Sequence, residues 1–138
     1  MKKFQTIAGE FAPQEDLDAS VKFALNEIFS ANRLKVLADL IGSDGELGAV
    51  EGEPGWILEK RIFEYDGVEE HIAWPKDAEF FAHVNPESYQ LKYPTFYMTR
   101  SQLYEYIAVA IQNCLRSGCP IEEMGGVEKL NQLIVEKK

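Results

Sequence analysis

Two histidines, His71 and His83, and a dense set of carboxylates are the groups in this chain whose types and spacing could do chemistry. Each histidine lies in a strand-like segment, and both could pair with a carboxylate such as Glu70 or Glu79. A histidine beside a carboxylate is the common form of a general base. Neither histidine stands in the HExxH spacing that holds zinc, and the chain has no nucleophile-elbow serine, no GxGxxG and no P-loop. Gly45-Glu46-Leu47-Gly48 lacks the rest of a phosphate-cradling loop, and its acid would repel a phosphate. For histidines this isolated, a structural or surface role is several times commoner than a catalytic one. A small enzyme built on His71 or His83 would require histidine and acid to meet in a concave pocket.

The carboxylates invite two further chemistries. Asp44/Glu46 and Glu51/Glu53 offer hard oxygen ligands of the kind calcium takes, but the register of an EF-hand loop, with its bidentate terminal Glu, is absent. Glu69-Glu70 could serve as an acid–base pair of the glycosidase type, yet nothing marks a second carboxylate across a cleft. Taken singly, each pair reads as solvated turn acid. Cys114 falls on the apolar side of an expected helix and Cys119 in the loop Ser117-Gly118-Cys119-Pro120, without CxxC spacing. The sequence therefore assigns no catalytic residue, no metal ligand and no cofactor.

What the acids do collectively is a different matter. Residues 39–70 contain ten acidic side chains against Lys60 and Arg61, which leaves −8 of the formal −9 in that one window. Such a field repels nucleic acid and anionic membranes and steers cationic partners toward itself. A basic protein is the partner this charge favours. The competing reading is that acidic turns simply keep a small domain soluble.

The elements that must position these groups follow from length and pattern. With 138 residues and 46 % hydrophobic content, the chain suits one domain spanning 1–138 around one core. Sixteen aromatics, Trp56 and Trp74 among them, supply apolar area for a core or an interface. The uncharged stretch from Tyr106 to Leu115 contains Gln112 and Asn113 and is far too short to span a bilayer, and Glu10 interrupts any apolar run after Lys2-Lys3, so a cytoplasmic location is expected.

Leu17, Val21, Ala24, Leu25 and Ile28 recur at helical steps from a start near Pro13, and Leu34, Leu37, Ala38 and Ile41 continue to Gly42, with Asn32 dividing two helices. Asp16 or Asp18 can serve the first turn. Gly42 to Gly55 reads as a long acidic loop, Trp56–Tyr65 and Val68–Trp74 as strands joined at Asp66-Gly67, and Glu79–Val84 and Tyr89–Met98 as strands separated by Asn85-Pro86-Glu87-Ser88. Thr99 and Gln102 have capping-box spacing ahead of the stripe Leu103, Tyr106, Ile107, Ala110, Ile111, Cys114 and Leu115. A last amphipathic helix begins near Gly126. The expectation is an α+β fold: N-terminal helices, an antiparallel β-meander of three to four strands, and C-terminal helices.

The run Phe96-Tyr97-Met98-Thr99-Arg100-Ser101-Gln102-Leu103-Tyr104-Glu105-Tyr106-Ile107, continuing to Cys114-Leu115, resembles the C-terminal half of small immunity proteins from bacterial contact-dependent growth inhibition and related polymorphic toxin systems. The likeness is to the ribonuclease-toxin immunity group, in which a strand enters a Ser/Thr-capped helix bearing an aromatic, then Tyr-Leu, then Cys and an aliphatic residue. Thr99, Leu103, Tyr106-Ile107 and Cys114-Leu115 stand in those places. The acidic stretch that follows the helix in that group is replaced by Ser117-Gly118-Cys119-Pro120-Ile121-Glu122-Glu123. The resemblance implies a cytosolic protein that binds and neutralises a cognate toxin C-terminal domain, often a nuclease.

Charge and resemblance together nominate Asp44, Glu46, Glu51, Glu53, Glu64, Asp66, Glu69 and Glu70 as the surface that meets a basic toxin, with Trp56, Tyr65 and Trp74 as candidate anchors. The alternative is an acidic adaptor or structural protein that oligomerises through its aromatic sheet. Sequence leaves the oligomeric state open.

Overall fold

The longest helix starts where its cap dictates. The Thr99 hydroxyl accepts from the Gln102 N–H at 3.1 Å, and the Gln102 side chain accepts from the Thr99 N–H at 2.8 Å. Two donors that a first turn leaves open are thereby satisfied reciprocally. The computed structural model describes residues 4–7, 9–42, 48–53, 55–61, 75–118 and 127–136. Within them the elements run β1 (Phe4–Thr6), β2 (Gly9–Phe11), α1 (Ala19–Ser30), α2 (Leu34–Ile41), β3 (Ala49–Gly52), β4 (Trp56–Lys60), β5 (Phe80–Val84), β6 (Thr95–Met98), α3 (Arg100–Arg116) and α4 (Val127–Glu136). β1 and β2 pair with each other, and β3-β4-β5-β6 form an antiparallel meander in chain order. The architecture is α+β, with helices before and after the meander.

Alternation along the strands divides the sheet into two faces. Val50, Leu58 and Ala82 stand opposite one another across three strands and are buried, beneath α1. Leu25, Ile28, Leu58, Phe80, Met98, Leu103 and Ile107 are fully enclosed members of one hydrophobic cluster. Each such side chain contributes roughly 1.5–3 kcal/mol by leaving water. α2 packs on α4, and α3 lies against α1, α4, β2 and β6. The other sheet face carries two cross-strand rows, Glu51–Ile57–His83–Thr95 and Ala49–Glu59–Phe81–Tyr97.

The division at Asn32 is a helix stop of the Schellman kind. Asn32 has φ +55, the left-handed conformation that asparagine tolerates best after glycine, and the Arg33 N–H donates to Ile28 O at 2.9 Å. Four expectations are corrected. α1 begins at Ala19, because the Asp16 carboxylate accepts the Ala12 N–H at 2.8 Å and closes a turn; Leu17 is 64 % exposed and off the apolar stripe. β3 occupies part of what reads as a loop, and β6 starts only at Thr95, because Pro94 ends the preceding irregular stretch while its carbonyl accepts from Val84 N at 2.9 Å. Leu115 is half exposed rather than part of the buried stripe.

The long β4–β5 connection is closed at its base. The Arg61 N–H donates to Glu79 O at 2.8 Å, and its guanidinium donates to Pro75 O at 3.2 Å and Ala78 O at 3.1 Å. The expected turn at Asp66-Gly67 and strand Val68–Trp74 lie outside the described residues.

Candidate functional site: an acidic concavity at the β3–β4 hairpin

β3 and β4 pair with Gly52 opposite Trp56, so the chain reverses over three residues. Gly55 carries φ +124, and a Cβ there would stand 2.9 Å from Ser88 Oγ and 3.1 Å from Asn85 Cβ. Only glycine fits both the backbone and the space. The close approach is used: Asn85 N donates to Gly55 O at 2.7 Å, docking the hairpin tip on the β5–β6 turn. That turn is itself held by the Asn85 side chain, which accepts from the Glu87 N–H at 3.0 Å.

Trp56 braces the hairpin from the other side. Its indole Nε1 donates to Glu53 O at 3.1 Å, its ring passes so close to Gly52 that a Cβ there would lie 2.9 Å away, and the Arg33 guanidinium sits 5.7 Å from the ring centroid. Arg33 Nη1 also donates to Glu51 O at 2.8 Å. At 4 % exposure Trp56 offers a partner almost no surface in this conformation and serves as the support beneath Glu51 and Glu53.

On the face away from the helices, Glu51, Glu53, Ile57, His83 and Asn85 surround an open concavity of about 520 Å3. Glu51 and Glu53 are both exposed at its lip. His83 reaches it from the neighbouring strand because Ile57 pairs with His83 in register. Its Nδ1 is hydrogen-bonded to Thr95 Oγ1 at 2.6 Å. Thr95, not a carboxylate, orients the ring, so the histidine–acid pair expected of a general base is not formed at His83. Glu79, considered for that pairing, is bound instead by Arg100 at 2.8 Å. Arg33, Asn85 and Thr95 are the contributors that local sequence pattern does not single out, since each acts across a long stretch of chain.

Two polar clusters elsewhere tie elements together. Arg100 donates to Glu79, to Ile41 O and to Tyr104 Oη, and lies 5.1 Å from the Phe80 ring centroid. Burial alone would lower its pKa, but the hydrogen bonds to Glu79 and Tyr104 outweigh that and hold it above the usual arginine value. Tyr106 donates its hydroxyl to Asp18, and Lys22 bridges Asp16 and Asp18 at 3.1 and 3.3 Å. Burial first, then the Asp18 hydrogen bond, push the Tyr106 hydroxyl well above the usual tyrosine range.

Of the nominated contact residues, Glu51, Glu53 and Trp56 converge here. Asp44, Glu46, Glu64, Asp66, Glu69 and Glu70, with Tyr65, His71, Trp74 and Cys119, lie outside the described residues. Among the described residues no three His, Cys, Asp or Glu side chains are grouped to hold a metal ion, and no helix is long and apolar enough to cross a membrane. No family profile, curated protein or solved structure matches the chain.

Proposed function

We propose that this chain binds and neutralises a basic toxin domain, of the nuclease kind, through its acidic surface and without catalysis. The observation that carries the reading is the pair Glu51 and Glu53, exposed on a braced hairpin at the lip of an open concavity. A lip of this kind accepts Lys and Arg side chains, and rigid support lowers the entropic cost of docking them. The acids that flank the hairpin in sequence, from Asp44 to Glu70, add the long-range field that speeds encounter. The resemblance around Thr99 and Cys114 supplies the immunity role, and a cytoplasmic site of action goes with it.

The test is calorimetric titration of the chain with the toxin C-terminal domain encoded beside its gene, at low and at high salt. Tight binding that weakens with salt supports the reading. Absence of binding at both salts removes it. A second reading, an adaptor that assembles through its sheet, draws on Tyr97, half-buried on the face opposite the helices, whose ring lies 5.6 Å from the buried Phe81 ring and tilted 36° to it. Loss of self-association on changing Tyr97 to serine would favour it.

A further inference from the structure

α3 presents a second surface, remote from the hairpin. Its buried side is Leu103, Ile107, Ala110, Ile111 and Cys114. Its outer side is a straight stripe of exposed residues, Glu105, Val109, Gln112 and Arg116, at steps of four, three and four. Val109 is 46 % exposed. Beside the stripe runs the row Ser101, Ala108 and Leu115 at seven-residue spacing, and Leu115 is 51 % exposed. On that same flank a groove of about 630 Å3 opens between α3 and α4, its floor mostly apolar from Tyr104, Ala108, Val109 and Ile134, with Arg100, Ser101 and Glu105 also lining it.

We infer that this face binds a second copy of the chain, α3 against α3 and antiparallel. The stripe is self-complementary in that direction alone. A twofold axis passing α3 between Ala110 and Ile111 sets Glu105 against Arg116 of the second copy, Arg116 against its Glu105, and Val109 against its Gln112. A parallel arrangement would set Glu105 on Glu105 and Arg116 on Arg116, two like-charge contacts. Neither Glu105 nor Arg116 has an ion-pair partner among the described residues, so the charges are available. The same axis carries Leu115 over the other copy's groove between Tyr104 and Ala108, an exposed leucine meeting a recess that the described residues leave open.

One 17-residue helix face covers less than the roughly 800 Å2 per partner of a standard interface. The dimer is therefore weak and exchanges rapidly. The −9 charge on each copy opposes it further at low ionic strength. The sheet face with the Glu51/Glu53 concavity lies opposite the helices and stays open, so the pairing is independent of what the acidic surface binds.

Sedimentation equilibrium of the full chain at near-physiological salt tests this. The expected result is a mass that climbs from 15.7 kDa toward twice that value with concentration. Leu115→Asp, a change at an exposed position, should weaken association by roughly tenfold or more. Glu105→Arg and Arg116→Glu should each weaken it, and an equimolar mixture of those two variants should restore it, because both cross-pairs then have opposite charge. A mass fixed at 15.7 kDa at all concentrations overturns the inference. So does a dimer indifferent to Leu115→Asp, or a mixture that associates no better than its components.

Discussion

Arg100, the first residue of α3, meets Glu79 beside β5 at 2.8 Å and holds the end of α2 through the Ile41 carbonyl. One side chain thus pins a helix start, a strand approach and a helix end. Replacing Arg100 by alanine is expected to cost about 2 kcal/mol, because several charge-assisted hydrogen bonds and the packing on Phe80 go together. Glu79→Ala should cost about 1 kcal/mol, since Arg100 keeps its other acceptors and the pair is partly solvated. Urea midpoints of the two variants check the order.

Tyr106 makes stability fall at alkaline pH. Its hydroxyl keeps its proton more tightly folded than unfolded, so above an ordinary tyrosine pKa of about 10 the unfolded chain holds fewer protons than the folded one. The contribution is full below that value and is lost as pH rises beyond it. Tyr106→Phe should remove about 1 kcal/mol near neutrality and flatten the alkaline limb. Thermal unfolding followed between neutral and alkaline pH reads both effects.

Gly55 cannot take a side chain cheaply. Gly55→Ala combines a left-handed backbone with contact against Ser88 and Asn85, and should cost about 2–3 kcal/mol. Gly48→Ala, where a Cβ meets nothing within 4 Å, should stay within about 0.5 kcal/mol. Denaturation of the two variants side by side separates this local demand from a general effect of added methyl groups.

Reversing Glu51 and Glu53 to lysine should leave stability nearly unchanged, since both are exposed, while slowing association with a basic partner by about tenfold at low salt. The difference should shrink as salt rises. Stopped-flow association rates over a salt series measure it. Equal rates for wild type and variant at every salt would exclude the hairpin from the encounter surface.

The parts of the fold that the sequence made legible are those decided by neighbours. Thr99 and Gln102 lie three residues apart, and their mutual bonds need nothing distant. Asn32 likewise stops α1 through its own backbone. β3 was illegible because Ala49–Gly52 buries a single side chain, Val50, between glycines, and exists through its pairing with β4. Leu17 fits the helical period but loses to the turn that Asp16 closes. At the candidate site, Glu51 and Glu53 stand out as acids in any reading. Their meeting with His83 and Asn85 depends on strand register and on contacts roughly thirty residues apart, which periodicity does not encode.

Arg61 has a consequence for how such a chain can diversify. The sheet neighbours Lys60 and Phe80 are already joined in register, and Arg61 stitches together the two ends of their connection, which in sequence flank residues 62–74. Substitution, insertion or exchange within that acid-rich stretch need not disturb the stitch. Lineages can then vary that stretch while inheriting the scaffold unchanged, a division of labour between a conserved frame and a variable connection.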